Sequence, residues 1–345
     1  MLTNILKPFL FCGAALVGLL PATAQNAPER PQVSAYPKAA TFPKANDAAV
    51  LRHFNRARVI AGNDLEVFFG TLCVDVQSYR ERINGVQYNG LVPAQKIFDN
   101  LFYIGQMGVS AWAIKAPGGL VLIDALNNAD EARDIIVPGL TALGLNPKDI
   151  KYVILTHGHG DHYGGAQYLK DTYGAKLVAS APDWDGMAKL TSTNPRFDPP
   201  PRRGPDDMTV SDGQTANLAG ADIRFALTPG HTPGTLSMLF GVTDNGKAHK
   251  VGLYGGVGLP RTVENKQIQV RSMTHWMAMT KAAGVDAQIG NHPLHFDGPT
   301  RLEILQYRQK GQRNPFVLGS ANVQRYMDLQ RECVLMSLAR DGVAP

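Results

Sequence analysis

Beyond residue 24 the sequence has no apolar run long and charge-free enough to cross a membrane, which takes about 20 residues. A membrane-spanning helix is thereby excluded there, and the body of the chain is expected to be soluble. Clustered positive charge is missing too. The formal charge is +5, and the basic residues are scattered apart from Arg202-Arg203 in a proline-rich stretch. A nucleic-acid surface would carry them as a stripe, so no nucleic-acid partner is expected. No repeat at a solenoid period and no low-complexity array occurs. Cysteine is limited to Cys12, Cys73 and Cys333. Neither Cys73 nor Cys333 lies near a histidine in sequence, so nothing nominates either as a nucleophile or a metal ligand.

At the N-terminus Met1–Leu6 carries no acid, Lys7 adds a positive charge, and Pro8–Leu20 is an apolar run closed by Ala22-Thr23-Ala24. That order reads as a secretory signal peptide over 1–24, cleaved after Ala24, and implies a periplasmic or secreted mature chain with no membrane attachment. Acylation at Cys12 is the weaker alternative, because Phe9-Leu10-Phe11 lacks the small residues that precede such a cysteine. In an oxidising compartment Cys73 and Cys333 are expected to form one disulfide, the alternative being two separate buried thiols. Closing so long a loop would stabilise the fold by roughly 3 to 5 kcal/mol.

Residues 25–92 divide into a Pro- and Ala-rich leader to about 45 and an N-terminal extension whose Phe54, Leu65, Phe68, Phe69 and Leu72 suit short helices on a larger body. From 93 to 312 the pattern is that of a layered α/β domain. Apolar runs at Ile97–Gly105, Val109–Lys115 and Leu120–Ala125 predict a meander of three strands. A helix over Ala129–Gly144 should be kinked or split by Pro138-Gly139. Tyr152–Leu155 reads as a buried strand, followed by a helix at Gln167–Tyr173, a strand at Lys176–Ser180 and a helix at Asp183–Leu190. The stiff stretch Thr191–Asp206, with five prolines, is expected to be a flap over the site. A helix near Ser272–Ala283 and a helical pattern over Pro299–Arg340, whose last part (313–345) forms a C-terminal helical extension, complete the chain.

Immediately after the buried strand comes His157-Gly158-His159-Gly160-Asp161-His162, three imidazoles and a carboxylate in six residues, then the pair Gly164-Gly165. A histidine-rich solvated tract is the bland alternative, but this segment is embedded between strand and helix signals. His157 and His159 alternate to one side, while Asp161 and His162 fall on the far side of the turn, an arrangement suited to two adjacent metals. Zinc accepts imidazole nitrogen and carboxylate oxygen, and a catalytic site leaves a position for water. Two distant histidines complete the set: His231 in Thr228-Pro229-Gly230-His231-Thr232-Pro233-Gly234, and His292 in Gly290-Asn291-His292-Pro293.

On these motifs the chain resembles the metallo-β-lactamase superfamily over roughly Ile97–Leu305. The resemblance implies a four-layer αββα sandwich, with the N-terminal extension and C-terminal helices added to it. It implies two Zn2+ ions, one held by His157, His159 and His231, the other by Asp161, His162 and His292. The second set, lacking cysteine, looks like the third subclass of true metallo-β-lactamases, as does Asp124 at the end of the strand Leu120–Ile123. One departure concerns substrate: where most hydrolases of the superfamily place a metal-bridging Asp, and the third lactamase subclass an Asp-Ser-x-Ser run, this chain has Gly255-Gly256-Val257-Gly258, which argues against glyoxalase II, the acyl-homoserine lactonases and the RNA-processing nucleases.

The mechanism implied is attack on a carbonyl by a water acidified between two zinc ions, with Asp161 orienting it as the catalytic carboxylate. The expected partner is a small-molecule substrate: a β-lactam, or else another ester, lactone or amide. The alternative from a different class is a noncatalytic zinc-binding protein. Asp124 is either a partner to a ligand histidine or a plain turn residue. Tyr163 either reaches substrate or packs, and His295 reads as a surface residue before a pocket-lining one. His53, His249 and His275 have no partner pattern.

Overall fold

The computed structural model describes Lys44 and residues 47–78, 90–191 and 194–343. The expected signal peptide, with Cys12 and its cleavage point, and most of the leader lie outside the described residues. Two sheets form the centre. The first runs β1 (Leu91–Phe98), β2 (Leu101–Gln106), β3 (Ser110–Ala116), β4 (Gly119–Ile123), β5 (Ile150–Ile154), β6 (Lys176–Ser180) and β7 (Met208–Val210), in that spatial order. Pairing is antiparallel from β1 to β4 and parallel from β4 to β7. The second sheet is ordered β12 (Ala287–Ile289), β11 (Lys247–Leu253), β10 (Leu236–Asp244), β9 (Ala221–Leu227) and β8 (Thr215–Leu218). Only β11 and β12 run parallel there, while the other neighbours are antiparallel.

Side-chain alternation along these strands sorts the core into layers. Tyr103, Trp112, Val121, Ile123 and Ile154 of the first sheet meet Ile223, Phe225, Met238, Phe240 and Leu253 of the second in one buried cluster. Phe102, Ile104, Leu122 and Val153 face the other way, onto Ile136, Leu140, Ala166 and Leu169 of an outer helical layer. On the far side of the second sheet, Ala226, Leu239 and Tyr254 lie under helices at both ends of the chain. This is the expected αββα order. Because both faces of the strands are covered, they read as near-continuous apolar runs rather than alternating ones.

The helices used below are α1 (Ala48–Ala61), α2 (Ala166–Tyr173), α3 (Ala181–Ala188), α4 (Val263–Ala283), α5 (Gly298–Gln306) and α6 (Ser320–Arg340). Asp47 caps α1 and Thr262 caps α4 through side-chain oxygens that accept backbone N–H groups. Gly174 and Gly284 end α2 and α4 in the left-handed conformation. The irregularity expected near Pro138 is a π-helical turn, Ala132–Ile136, from which the helical backbone runs on without a break into Val137–Ala142, with the proline in its first turn. No helix among the described residues is long and apolar enough to cross a membrane.

Three elements differ from the sequence reading. The run Ile97–Gly105 is not one strand, since Asp99-Asn100 turns the chain between β1 and β2. Helix α4 begins at Val263, well before Ser272, because its first turns bury Lys266 and Gln269 and so carry no apolar periodicity. The helical pattern 299–340 is interrupted from 307 to 319, a stretch punctuated by Gly311, Pro315 and Gly319. The disulfide expected between Cys73 and Cys333 is present, joining the helical N-terminal extension to α6.

Candidate metal centre

The site grows from strand ends. Thr156 leaves β5, His157 follows, and Gly160–Tyr163 forms a single helical turn entered at His159. The glycines here are matters of space. A Cβ on Gly164 would lie 1.9 Å from the Asn127 carbonyl oxygen and 2.1 Å from its carbon, so the turn docks backbone to backbone on the segment after β4. Gly164→Ala should therefore destabilise the fold by about 3 kcal/mol, the upper end for an added methyl group. Urea unfolding measures this, and an unchanged midpoint would contradict it.

The six residues expected to bind metal come together as two groups, His157/His159/His231 and Asp161/His162/His292, and within each group the ligand atoms lie within 4.8 Å of one another. His231 stands on the turn after β9, with its ring 4.5 Å from that of His157 and 4.7 Å from that of His159. His292 follows β12 and brings its Nε2 to 3.2 Å from Nε2 of His162. The Asp161 carboxylate lies 3.5 Å from His162 Nε2 and 3.8 Å from His292 Nε2.

Partners on the far sides of the rings set the tautomers. His162 Nδ1–H donates to Asp124 at 2.8 Å, His292 Nδ1–H to the Gly108 carbonyl at 2.8 Å, and His231 Nδ1–H to the Gly258 carbonyl at 3.3 Å. With both Nδ1 protons so committed, the rings of His162 and His292, when neutral, aim lone pairs at each other. His157 Nε2 is buried with no partner. Two facing imidazole lone pairs, a carboxylate beside them and an orphaned buried nitrogen form a donor set that a cation satisfies, so the residues fit the metals the resemblance implies.

Electrostatics agree with a ligand role for the first group. Burial, reinforced by neighbouring imidazoles, drives the His157 and His231 pKa values well down and keeps both rings neutral. Burial also disfavours the His162 imidazolium, but Asp161 and Asp124 outweigh it and leave that pKa raised. For Asp161, burial works against ionisation, yet His162, His292 and His159 hold its pKa at about 2.

Asp124 is the buried anchor beneath the centre. Its backbone is left-handed, with φ of 62°, and its carboxylate accepts from His162, from the Thr156 N–H and from the Thr156 hydroxyl, each at 2.8 Å. Asn291 extends the network, donating to Thr156 Oγ1 at 3.0 Å and to the Gly255 carbonyl at 2.8 Å. Sequence reasoning missed Thr156 and Asn291, although each is a polar residue directly preceding a candidate ligand histidine. The glycines at 255–258 are equally specified. A Cβ on Gly255 would lie 2.0 Å from the Leu236 carbonyl oxygen, and one on Gly258 would lie 2.6 Å from His231 Cε1. Gln269 of α4 holds the segment by donating to the Gly256 and Gly258 carbonyls. A bridging carboxylate at these two positions would displace a strand carbonyl or the His231 ring.

Other expectations are corrected or resolved. His295 is buried rather than on the surface: its ring lies 5.8 Å from that of His292, Tyr326 of α6 donates to its carbonyl, and burial drives its pKa down to about 3. Tyr163 packs, buried against the outer helical layer. The described part of the proline-rich stretch, residues 194–206, is hydrogen-bonded to the segment after β4 and to α2. Ala129 N–H donates to Asp198 at 2.7 Å, Asn128 to the Arg196 carbonyl at 3.1 Å, and Arg202 N–H to Gln167 at 2.9 Å. Its Phe197 rests where a Cβ on Gly160 would be, 2.4 Å from the ring's Cγ. His53, His249 and His275 pair with Glu332, Asp286 and Asp212 respectively.

A family model described as the metallo-beta-lactamase superfamily matches residues 104–244. A hydroxyacylglutathione hydrolase of Acidiphilium cryptum is 28% identical over 131 residues, 38% of this chain and 44% of that relative, so the alignment spans less than half the relative's length. Among solved structures, a subclass B3 metallo-beta-lactamase of Bradyrhizobium japonicum matches with 26% identity and a TM-score of 0.59, covering 70% of this chain and 92% of the other. A metallo-beta-lactamase of Cronobacter sakazakii matches with 26% identity and a TM-score of 0.60, covering 75% and 98%.

Proposed function

This chain belongs to the metallo-β-lactamase superfamily, and from that premise we propose that it is a hydrolase, an exported dinuclear zinc enzyme that opens a β-lactam or a similar cyclic amide. The observation that carries the reading is the pair of facing ligand groups, with the His162 and His292 Nε2 atoms 3.2 Å apart beside the Asp161 carboxylate. His157, His159 and His231 would hold one zinc, and Asp161, His162 and His292 the other. When bound, such a pair supplies Lewis acidity that brings the pKa of water from about 15.7 towards roughly 7 and draws charge from a carbonyl oxygen.

The chain's own residues do the rest. Asp161, ionised at any working pH because its pKa is about 2, accepts a hydrogen bond from the attacking water and orients it. Asp124, Gly108 and Gly258 fix the ring orientations of His162, His292 and His231. Phe197 packs on Gly160, between His159 and Asp161. Export is supported by the N-terminal signal pattern and by the Cys73–Cys333 bond, since disulfides persist in oxidising compartments.

A second reading, a hydrolase of another ester, lactone or amide, is favoured by one feature. Gly255–Gly258 offers no serine to hold a substrate carboxylate. The deciding experiment presents a chromogenic cephalosporin and a carbapenem to the zinc-loaded mature chain. Turnover should fall by about 10²- to 10⁴-fold in Asp161→Ala and vanish with a chelator. No turnover from a chain that holds two zinc ions would refute the lactam reading and transfer the assay to lactones, esters and thioesters.

A further inference from the structure

The three histidines of the first group arrive from different sheets. His157 and His159 follow β5 of the seven-stranded sheet, and His231 follows β9 of the five-stranded one. Strand pairing within either sheet does not fix the distance between these two loops, so their spacing is a tertiary problem. One buried carboxylate addresses it. Asp183, in the first turn of α3 after β6, is 3% exposed. Its Oδ2 accepts from the Gly158 N–H at 2.9 Å, between His157 and His159, and from the Thr232 hydroxyl at 2.9 Å, next to His231. Its Oδ1 accepts from the Gly234 N–H at 2.8 Å.

The surroundings are shaped to this contact. A Cβ on Gly234 would lie 2.6 Å from Asp183 Cγ and 2.1 Å from Ser180 Oγ, so only glycine lets the second loop come this close. Ser180 Oγ donates back to the Gly234 carbonyl at 2.6 Å, and Thr235 Oγ1 accepts the Thr232 N–H at 3.0 Å. We propose that Asp183 is the positioning residue of the three-histidine group: it clamps the two ligand loops at the spacing a single metal ion requires. It touches no ligand atom and acts through Gly158, Thr232 and Gly234. The inference rests on the zinc reading given above, but on none of its substrates.

It separates from a merely structural role because it singles out one metal group. In Asp183→Asn one accepting oxygen becomes an NH2 that faces a donor, so one side of the clamp opens while volume is kept. Metal-free protein is titrated with zinc against a chromophoric chelator and with cobalt(II) by visible absorption. His231→Ala and His292→Ala identify the binding step of each group. Asp183→Asn should weaken the His157/His159/His231 step by 10- to 100-fold and leave the Asp161/His162/His292 step in place. Should Asp183→Asn not fold, Thr232→Val, which removes one bond to Asp183 and one to the Thr235 hydroxyl, should weaken the same step about five-fold, and Thr232→Ser should restore it. Unchanged affinities in the variants, or equal weakening of both steps, would overturn the proposal while the zinc reading stands. A wild-type chain that takes up no metal would overturn both.

Discussion

Asp124→Asn should cost the Asp161/His162/His292 group 10- to 100-fold in zinc affinity while leaving the protein folded. The reason is a tautomer. Asp124 lies fully buried and accepts the Nδ1 proton of His162, which leaves Nε2 of that ring as the free lone pair facing His292. Asparagine keeps the left-handed backbone at φ 62° without strain and retains an oxygen for the Thr156 N–H. Its NH2 then meets His162 Nδ1, the proton moves to Nε2, and the ring can no longer ligate. Loss of such a partner typically costs a metal site one to two orders of magnitude. Asp124→Ala goes further, stranding the Thr156 N–H, the Thr156 hydroxyl and the His162 N–H in the interior. At about 1 to 3 kcal/mol for each buried donor left unpaired, it should destabilise by about 3 kcal/mol or more. Competition titration reads the first variant and urea unfolding the second. Unaltered zinc affinity in Asp124→Asn would show that another group sets the His162 tautomer.

How far this anchor could be read from sequence marks the boundary of such reading. Asp124 was visible as a strand-end aspartate with two equal roles, and what decided between them was Thr156 and His162, residues 32 and 38 positions away. The histidine cluster was legible because its pattern is local, closing within six residues after a buried strand. His295 was misplaced on the surface because its cover comes from Tyr326 on a helix 31 residues later. Helix α4 was cut short for a related reason. Its first turns carry buried polar side chains, Lys266 and Gln269, whose partners Asp341 and Gly256 lie elsewhere, so apolar periodicity could not show it. Asp183 gave no signal at all: one aspartate in a helix says nothing until two loops are seen to meet it.

The Cys73–Cys333 bond should be worth several kcal/mol to the whole molecule. The two cysteines are 260 residues apart and both buried, Cys73 in the π-helical turn Gly70–Asp75 and Cys333 on α6. On the chain-entropy model, closing a loop of that length removes about 5 kcal/mol of denatured-state freedom, an upper figure because real denatured chains are already compact. The bond also reaches the site. Helix α6 donates from Tyr326 to the His295 carbonyl at 2.8 Å and from Gln330 to the Val257 carbonyl at 3.4 Å, beside the glycine segment that accepts the His231 Nδ1 proton. A buried disulfide resists reductant, so the decisive comparison is the double variant Cys73→Ser/Cys333→Ser. Its thermal midpoint should fall by about 10 °C, from 2 to 4 °C for each kcal/mol in a chain of this size class. Activity at 25 °C should survive, because the ligand network of Asp124, Thr156 and Asn291 contains neither cysteine. Hydrolysis should then fail on warming, well before the wild type, as α6 loosens from the carbonyls it holds. A midpoint within 1 or 2 °C of wild type would mean that the His53–Glu332 pair and the interface between α1 and α6 suffice to hold the two ends of the chain together.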